Sequence, residues 1–132
     1  MEDNIVNEVF GEVFFNYGWK TKTEIVLWGK TYNILISAES YYGEDDITSE
    51  QEKSYVSFKE MKAVKQNTIE MLLSQYFKDQ EDDLCDFLTP TALVIQSNGD
   101  YALLFDDAND RDNGIAVALS PEEEVMTQDE YL

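Results

Sequence analysis

The sequence contains no histidine, and this limits the chemistry that its side chains can perform. Histidine is the commonest general base, a member of the usual serine and cysteine triads, and a frequent zinc ligand. The six glycines are scattered turn residues and form no phosphate-binding loop. We therefore predict that the protein is not an enzyme, and that it uses no cofactor and no metal.

Cys85 is the single cysteine, so the chain cannot form an internal disulfide bond, which is typical of proteins from a reducing compartment. Asp82, Asp83 and Asp86 lie close to it in the sequence. Their negative charge disfavours the thiolate form that a nucleophile requires. We therefore predict that Cys85 is not a reactive residue.

The aspartates have more functional potential, and they concentrate in two runs within residues 79–86 and 106–112. A metal-dependent hydrolase would need two or three acids that converge from different elements, whereas runs of acids are more often solvated surface. We predict instead that they bind a partner protein. The predicted partner-binding residues are Asp79, Asp82, Asp83, Asp86, Asp106, Asp107, Asp110 and Asp112.

The second run looks like a calcium-binding loop, but its spacing does not fit one. If Gly114 takes the sixth position of such a loop, Arg111 takes the third and Ser120 the twelfth. A positive charge then replaces a ligand oxygen, and the bidentate carboxylate of the last position is missing. We predict a solvated loop between two strands, without a tight calcium site.

Net charge is the strongest signal in the composition. The 132 residues include 28 acidic and 9 basic ones, which gives a net charge of −19. Residues 79–132 contain 15 of the acidic residues and one basic residue, a net of −14. Such a surface repels nucleic acid and anionic membranes and attracts basic proteins. Two interpretations stay open, a functional acidic surface and a surface that only confers solubility.

The length favours a single domain over residues 1–132, and 43% hydrophobic residues are enough for a substantial core. No apolar stretch approaches the roughly 18 residues of a membrane span. The acidic N-terminal sequence lacks the basic start of a secretory signal. We therefore predict a cytoplasmic protein whose residues 1–8 are frayed.

Residues 47–77 are the one long segment with a helical pattern. Thr48 with Gln51, or Ser49 with Glu52, can form a capping box at its start. Its apolar residues share one face at helical spacing: Tyr55, Phe58, Ile69, Leu72, Leu73 and Tyr76.

Lys62, Lys65 and Gln66 fall on the same face, between the two groups of apolar residues. One straight helix would press two lysines into the core, which is costly without partners. We therefore predict a break or bend at residues 62–66 that produces two helices. The alternative is one helix whose lysines extend to the edge of the core.

Strand-like patterns lie on both sides of the helices. Residues 19–27 alternate between apolar and polar side chains, and the Asn-Gly pair in residues 97–100 predicts a hairpin with a type I′ turn. This order predicts an α+β fold, βββ–αα–βββ, with a mostly antiparallel sheet and the helices packed on one face. The predicted strands are residues 10–15, 19–27, 31–37, 91–96, 101–105 and 114–119, with a further short strand at 124–126.

The helical segment resembles that of a group of small bacterial proteins of unassigned activity. In that group one helix carries a glutamine and aromatic residues, here Gln51 and Tyr55, and a second helix ends in paired aromatics, here Tyr76 and Phe77. The resemblance covers about residues 9–130, although its motifs are short.

The C-terminal part of the chain resembles the same group. There an acidic turn with a Glu-His-Gly step leads into a strand and then a Gln-Asp pair. Here the step is Asp112-Asn113-Gly114 and the pair is Gln128-Asp129, so Asn113 replaces the histidine. The resemblance implies an association with bacterial polymorphic toxin and immunity loci, and hence a binding role.

The leading hypothesis is a cytoplasmic interaction protein without enzymatic activity, an immunity protein that binds a basic toxin domain through its acidic residues. One alternative is a mimic of nucleic acid that occupies the site of a DNA- or RNA-binding protein. The other is a metal-dependent enzyme that uses the same carboxylates. The sequence predicts a basic protein partner, no nucleic acid and no membrane, and it does not define an oligomeric state.

Overall fold

The computed structural model describes residues 5–7, 10–15, 19–39, 47–78, 83–120 and 122–131. Eight strands in these residues form one sheet, and their order in space follows the chain. The strands are β1 (Ile5–Asn7), β2 (Gly11–Phe15), β3 (Trp19–Leu27), β4 (Lys30–Ala38), β5 (Leu88–Ile95), β6 (Tyr101–Asp107), β7 (Ile115–Ser120) and β8 (Glu124–Met126). The α-helices are α1 (Ser49–Glu60), α2 (Lys62–Tyr76) and α3 (Gln128–Tyr131). None of the described helices is long and apolar enough to cross a membrane.

Neighbouring strands run antiparallel with one exception, the parallel pair of β4 and β5. Parallel neighbours need a long crossover connection. The segment that contains α1 and α2 connects these two strands. The predicted α+β fold, with a mostly antiparallel sheet and helices packed against it, is confirmed, but four strands and not three lie on each side of α1 and α2 in the chain.

The main core lies between the helices and the inward side chains of the strands. Every second residue of a strand points to this side of the sheet, and the helices turn toward it the face on which their apolar residues recur about every 3.6 positions. The core includes Ile25, Ile36, Leu93, Leu103 and Val117 from the strands with Tyr55, Phe58, Ile69 and Leu73 from the helices. Leu72 packs at its edge. The prediction was wrong for Tyr76, which is 48% exposed at the end of α2 and contacts the ring of Phe77.

The helical segment is divided at Met61, one residue before the predicted range of 62–66. Met61 has φ −106° and ψ 20° and ends α1. Lys62 is partly exposed, whereas the Lys65 side chain is only 15% exposed and its Nζ lies 4.0 Å from a carboxylate oxygen of Glu123. Gln66 reaches the sheet, where its Oε1 accepts a hydrogen bond of 2.8 Å from the Val26 N–H. The predicted division into two helices is therefore confirmed.

The positive φ angles of a type I′ turn occur in the hairpin between β3 and β4 and not in the hairpin between β5 and β6, where the sequence predicts them. Trp28 and Gly29, between β3 and β4, both have positive φ angles, 53° and 73°, as a type I′ turn requires. In the hairpin between β5 and β6 only Gly99 has a positive φ, 96°. The predicted type I′ turn at Asn98 and Gly99 is therefore wrong, although the hairpin itself is confirmed. The Asn98 side chain accepts a hydrogen bond from the Asp100 N–H instead.

The ends of several elements differ from the prediction. Residues 5–7, predicted to be frayed, form β1 and pair with β2; the other residues of 1–8 lie outside the described ones. Strand β5 begins at Leu88, and Pro90 lies inside it at an irregularity in the pairing with β6. Proline is tolerated there because a bulge does not need its missing N–H. Helix α3 was not predicted, since four residues are too few for a periodic pattern.

Candidate protein-binding surface

The pairing of β5 with β6 brings the two acidic runs to the same end of the sheet. Leu88 pairs with Asp107 and Thr89 with Asp106, so the residues before β5 lie beside the residues after β6. The Ala108 N–H extends the pairing by donating a hydrogen bond of 2.9 Å to the Phe87 carbonyl. Acidic residues some twenty positions apart in the sequence are therefore neighbours in the fold.

Five of the predicted partner-binding residues are exposed at this end of the sheet, which we call the acidic end. Asp79 and Asp82 lie outside the described residues. A short 3-10 turn, Leu84–Asp86, leads from the first acidic run into β5. The acidic end consists of Asp83, Asp86, Asp106, Asp110 and Asp112.

Asp107 differs from the other predicted residues because it is only 5% exposed. Its Oδ1 accepts a hydrogen bond of 2.8 Å from the Asn109 N–H, and its carbonyl accepts one from the Asp110 N–H. It pairs with Leu88, whose side chain belongs to the main core. Asp107 therefore shapes the loop and is removed from the set of candidate contact residues.

The loop after β6 uses its polar side chains internally. Asn113 Nδ2 donates to both carboxylate oxygens of Asp110 at 3.2 Å, and the Gly114 N–H donates to the Asp110 carbonyl. Among the described residues, no group of three or more Asp, Glu or Cys side chains is placed to hold a metal ion. The loop geometry thus supports a turn held by its own hydrogen bonds.

A cavity of about 360 Å³ lies at the acidic end. Phe87 is nearly buried there, and its ring contacts the Phe77 ring edge-to-face at a centroid distance of 5.4 Å. The cavity thus combines an aromatic wall with charged residues. Its lining residues are Phe87, Thr89, Asp106, Asp107, Ala108 and Arg111.

Sequence reasoning missed Phe87, Thr89 and Arg111 as parts of this surface. Arg111 carried one signal, since it is the only basic residue in residues 79–132. The other two carried none, because a phenylalanine or a threonine before a strand has no distinctive pattern. Their position depends on the extension of the β5–β6 pairing to residues 88–90 and 106–107, which lies beyond the predicted strands 91–96 and 101–105.

The carboxylates of the acidic end are not neutralised within the described part of the chain. The ion pair found there joins Lys65 to Glu123, and neither residue belongs to the acidic end. Arg111 lies among these five exposed carboxylates and offsets only part of their charge, so the acidic end keeps a negative potential that extends into the solvent. Such a surface can attract and orient a cationic partner.

The residues behind the family resemblance have structural roles. Gln51 is buried, and its Nε2 donates to the carbonyl oxygens of Glu39 and Ile95. Gln128 Nε2 donates a hydrogen bond of 2.7 Å to the Phe105 carbonyl, and the Gln128 N–H donates to the Asn113 carbonyl. The two C-terminal motifs therefore contact each other.

Comparisons with known protein families, with curated proteins and with solved structures find no match for this chain. The resemblance to proteins of toxin and immunity loci stays a prediction.

Proposed function

We propose that this protein is a non-enzymatic, cytoplasmic interaction protein that binds a basic protein through its acidic end. By the same proposal the partner is the basic domain of a toxin, which the protein neutralises. The supporting observation is the convergence of the two acidic runs, with Asp83 and Asp86 beside Asp106, Asp110 and Asp112.

Convergence strengthens the proposal because steering depends on summed charge. Five exposed carboxylates within one small area attract a basic surface more strongly than the same charges spread over the molecule. The cavity beside these carboxylates offers a recess for a partner's side chain, and Phe87, which is only 6% exposed, forms part of its wall and does not project as a contact.

The experiment compares three double variants that change the net charge equally. Asp83→Asn with Asp86→Asn alters one acidic run, and Asp106→Asn with Asp112→Asn alters the other. Glu122→Gln with Glu124→Gln is the matched control, since both residues are exposed and precede or begin β8, away from the acidic end. Each immobilised protein is exposed to an extract of the source cell, and captured proteins are identified.

The association rate with the captured basic protein is then measured against ionic strength. Each variant of the acidic end should slow association, and salt should reduce the difference, because the Debye length falls from about 10 Å at 0.1 M to about 3 Å at 1 M. The control should retain most of the wild-type rate. Equal rates for all four proteins would contradict the proposal.

The same experiment tests the two alternatives. A captured DNA- or RNA-binding protein that is released by nucleic acid would favour a mimic of nucleic acid. A metal-dependent turnover that one of the aspartate substitutions abolishes would favour an enzyme. Either result would replace the proposal of a toxin-binding protein.

A further inference from the structure

The outward side of α2 has an unusual composition for so charged a protein. A surface helix normally turns its charged residues to the solvent and its apolar residues to the core. In α2 the charged residues Lys62, Lys65 and Glu70 are partly buried on the flanks of the helix. The exposed residues are all uncharged: Ala63, Val64, Asn67, Met71, Ser74, Gln75 and Tyr76.

Large apolar side chains on this helix are open to the solvent. Val64 is 56% exposed and Met71 is 54% exposed, and both lie on the side opposite to the buried Ile69 and Leu73. Met61 precedes α2 and is 45% exposed. Tyr76 is exposed at the end of the helix but lies on the side of Ile69 and Leu73. We call the surface formed by the other exposed residues the α2 face: Met61, Ala63, Val64, Asn67, Met71, Ser74 and Gln75. Its exposed apolar side chains are typical of a contact surface.

We propose that the α2 face binds the α2 face of a second copy of this chain, with the two helices antiparallel. The first argument is charge. The chain has a net charge of −19, so most surfaces of two copies repel each other. Residues 49–78, which include both long helices, have four acidic and five basic residues. The exposed residues of α2 include no carboxylate, and Glu123 on the flank of the helix lies 4.0 Å from Lys65 of the same copy, so two copies can meet here with few like charges in contact.

The second argument is self-complementarity, which a two-fold interface requires. Val64 and Met71 lie at similar distances on either side of residues 67–68, so Val64 of one copy faces Met71 of the other. Glu60 and Lys78 flank the face at its two ends, and both are exposed. An antiparallel arrangement places Glu60 of each copy near Lys78 of the other. A parallel arrangement would place like charges together at both ends.

The small area of the α2 face limits the strength of the proposed dimer. Helix α2 has 15 residues, so it is about 22 Å long and about 10 Å wide. Its footprint is well below the roughly 800 Å² per partner of a stable complex. The dimer should therefore be weak and concentration-dependent.

Sedimentation measurements over a concentration series that reaches the millimolar range test the dimer. Wild type should associate, and Met71→Lys should weaken association by at least about tenfold because it buries a charge at the contact. Asn33→Lys is the control for an added charge away from the face, because Asn33 is exposed on β4 on the side of the sheet opposite to the helices, and circular dichroism verifies that both variants fold. A monomer at every concentration, or equal association by Met71→Lys and wild type, would overturn the proposal.

Exchanging the charges of Glu60 and Lys78 distinguishes the antiparallel dimer from binding to a different protein. Glu60→Lys alone and Lys78→Glu alone should each weaken the dimer, whereas the double exchange should restore it. Moderate salt should strengthen the dimer by screening the repulsion between two acidic copies, which is opposite to its effect at the acidic end. Failure of the double exchange to restore association would contradict the antiparallel arrangement.

Cross-linking defines the orientation directly. In a Cys85→Ser background, Asn67→Cys should form a disulfide between copies because position 67 lies near the two-fold axis. Gln75→Cys should not, since its copies would lie some 20 Å apart, far beyond the roughly 4–7 Å between Cα atoms that a disulfide spans. Cross-linking at 75 but not at 67 would overturn the proposal, as would binding of the face only to a different protein.

Discussion

Gln51 shows how one buried polar side chain connects distant parts of the chain. It is 1% exposed, and its amide is fully used. Its Oε1 accepts from the Thr48 N–H in the capping box, while its Nε2 donates to the carbonyl oxygens of Glu39 and Ile95. The start of α1 is thereby attached to the ends of the parallel strands β4 and β5.

Replacing Gln51 with Ala should lower the free energy of unfolding by about 2–4 kcal/mol, because the capping box and two buried hydrogen bonds are lost together. Gln75→Ala is the matched control, since Gln75 is exposed on α2. It should change the stability by less than about 0.5 kcal/mol. Urea denaturation of dilute samples measures both values. Equal midpoints for the two variants would show that the buried amide contributes little.

Tyr55 is also buried, and unlike Gln51 it can ionise, so its protonation state affects the stability of the fold. Burial raises the pKa of its phenol above the ordinary value of 10.0, while a side-chain hydrogen bond with Thr23 acts in the opposite direction. Because the folded pKa is the higher one, the stabilising effect is complete below about pH 10 and is lost as the pH rises through the folded pKa.

The stability of the wild type should therefore fall more steeply above about pH 10 than the stability of Tyr55→Phe, which cannot ionise at this position. Tyr76→Phe removes an exposed phenol instead and should follow the wild-type curve. Denaturant titrations at a series of alkaline pH values provide the comparison. Parallel curves for wild type and Tyr55→Phe would refute the role of Tyr55.

The contact between Gly114 and Gln128 determines how α3 attaches to the sheet. Gly114 has φ 60°, and a Cβ there would lie 2.6 Å from Gln128 Nε2 and 2.9 Å from the Phe105 carbonyl oxygen. Gln128 passes over this glycine to donate its hydrogen bond to Phe105. On the side of the sheet away from α1 and α2, Tyr131 of α3 packs against Val94, Leu104 and Ala116. The absence of a side chain at 114 thus allows α3 to cover this second small core.

Gly114→Ala should destabilise the protein more than Gly29→Ala. Both glycines have positive φ angles, so each substitution costs roughly 1–2 kcal/mol of backbone strain. A Cβ at Gly29 meets no atom within 4 Å, whereas one at Gly114 must displace Gln128. The difference should be about 1–3 kcal/mol in thermal or denaturant unfolding. An equal loss in the two variants would mean that Gln128 moves away at no cost.

At the scale of the whole molecule, charge repulsion opposes folding. The net charge of −19 is concentrated in residues 79–132, and the carboxylates of the acidic end form no ion pair within the described residues. Compact states bring such charges closer together than the unfolded chain does. Repulsion among the carboxylates of the acidic end therefore lowers the free energy of unfolding.

The double variant Asp106→Asn with Asp112→Asn should therefore raise the stability at low salt, by about 0.5–1 kcal/mol. The gain should disappear near 1 M salt, where the Debye length is about 3 Å. Thermal unfolding of wild type and variant across a salt series measures the effect. A loss of stability at low salt would show instead that these carboxylates make stabilising contacts.

Local patterns in the sequence determined which segments become helices and strands. Three of these patterns depend only on neighbours within a few positions. They are the capping box at Thr48, the lysines that interrupt the apolar face of residues 47–77, and the alternation in residues 19–27. The charge distribution also follows from the sequence alone. These features led to the α+β fold and to the two helices, because periodicity and capping act over one or two turns of chain.

Tertiary structure decided which of these segments lie together. The β5–β6 pairing continues beyond the strands that the hairpin signal predicted, and this extension placed Phe87 beside Ala108, joined the two acidic runs and buried Asp107. The packing of α2 determined which of its sides faces the solvent and left Met71 exposed. Such arrangements depend on register and packing between residues far apart in the chain, and no local pattern contains that information.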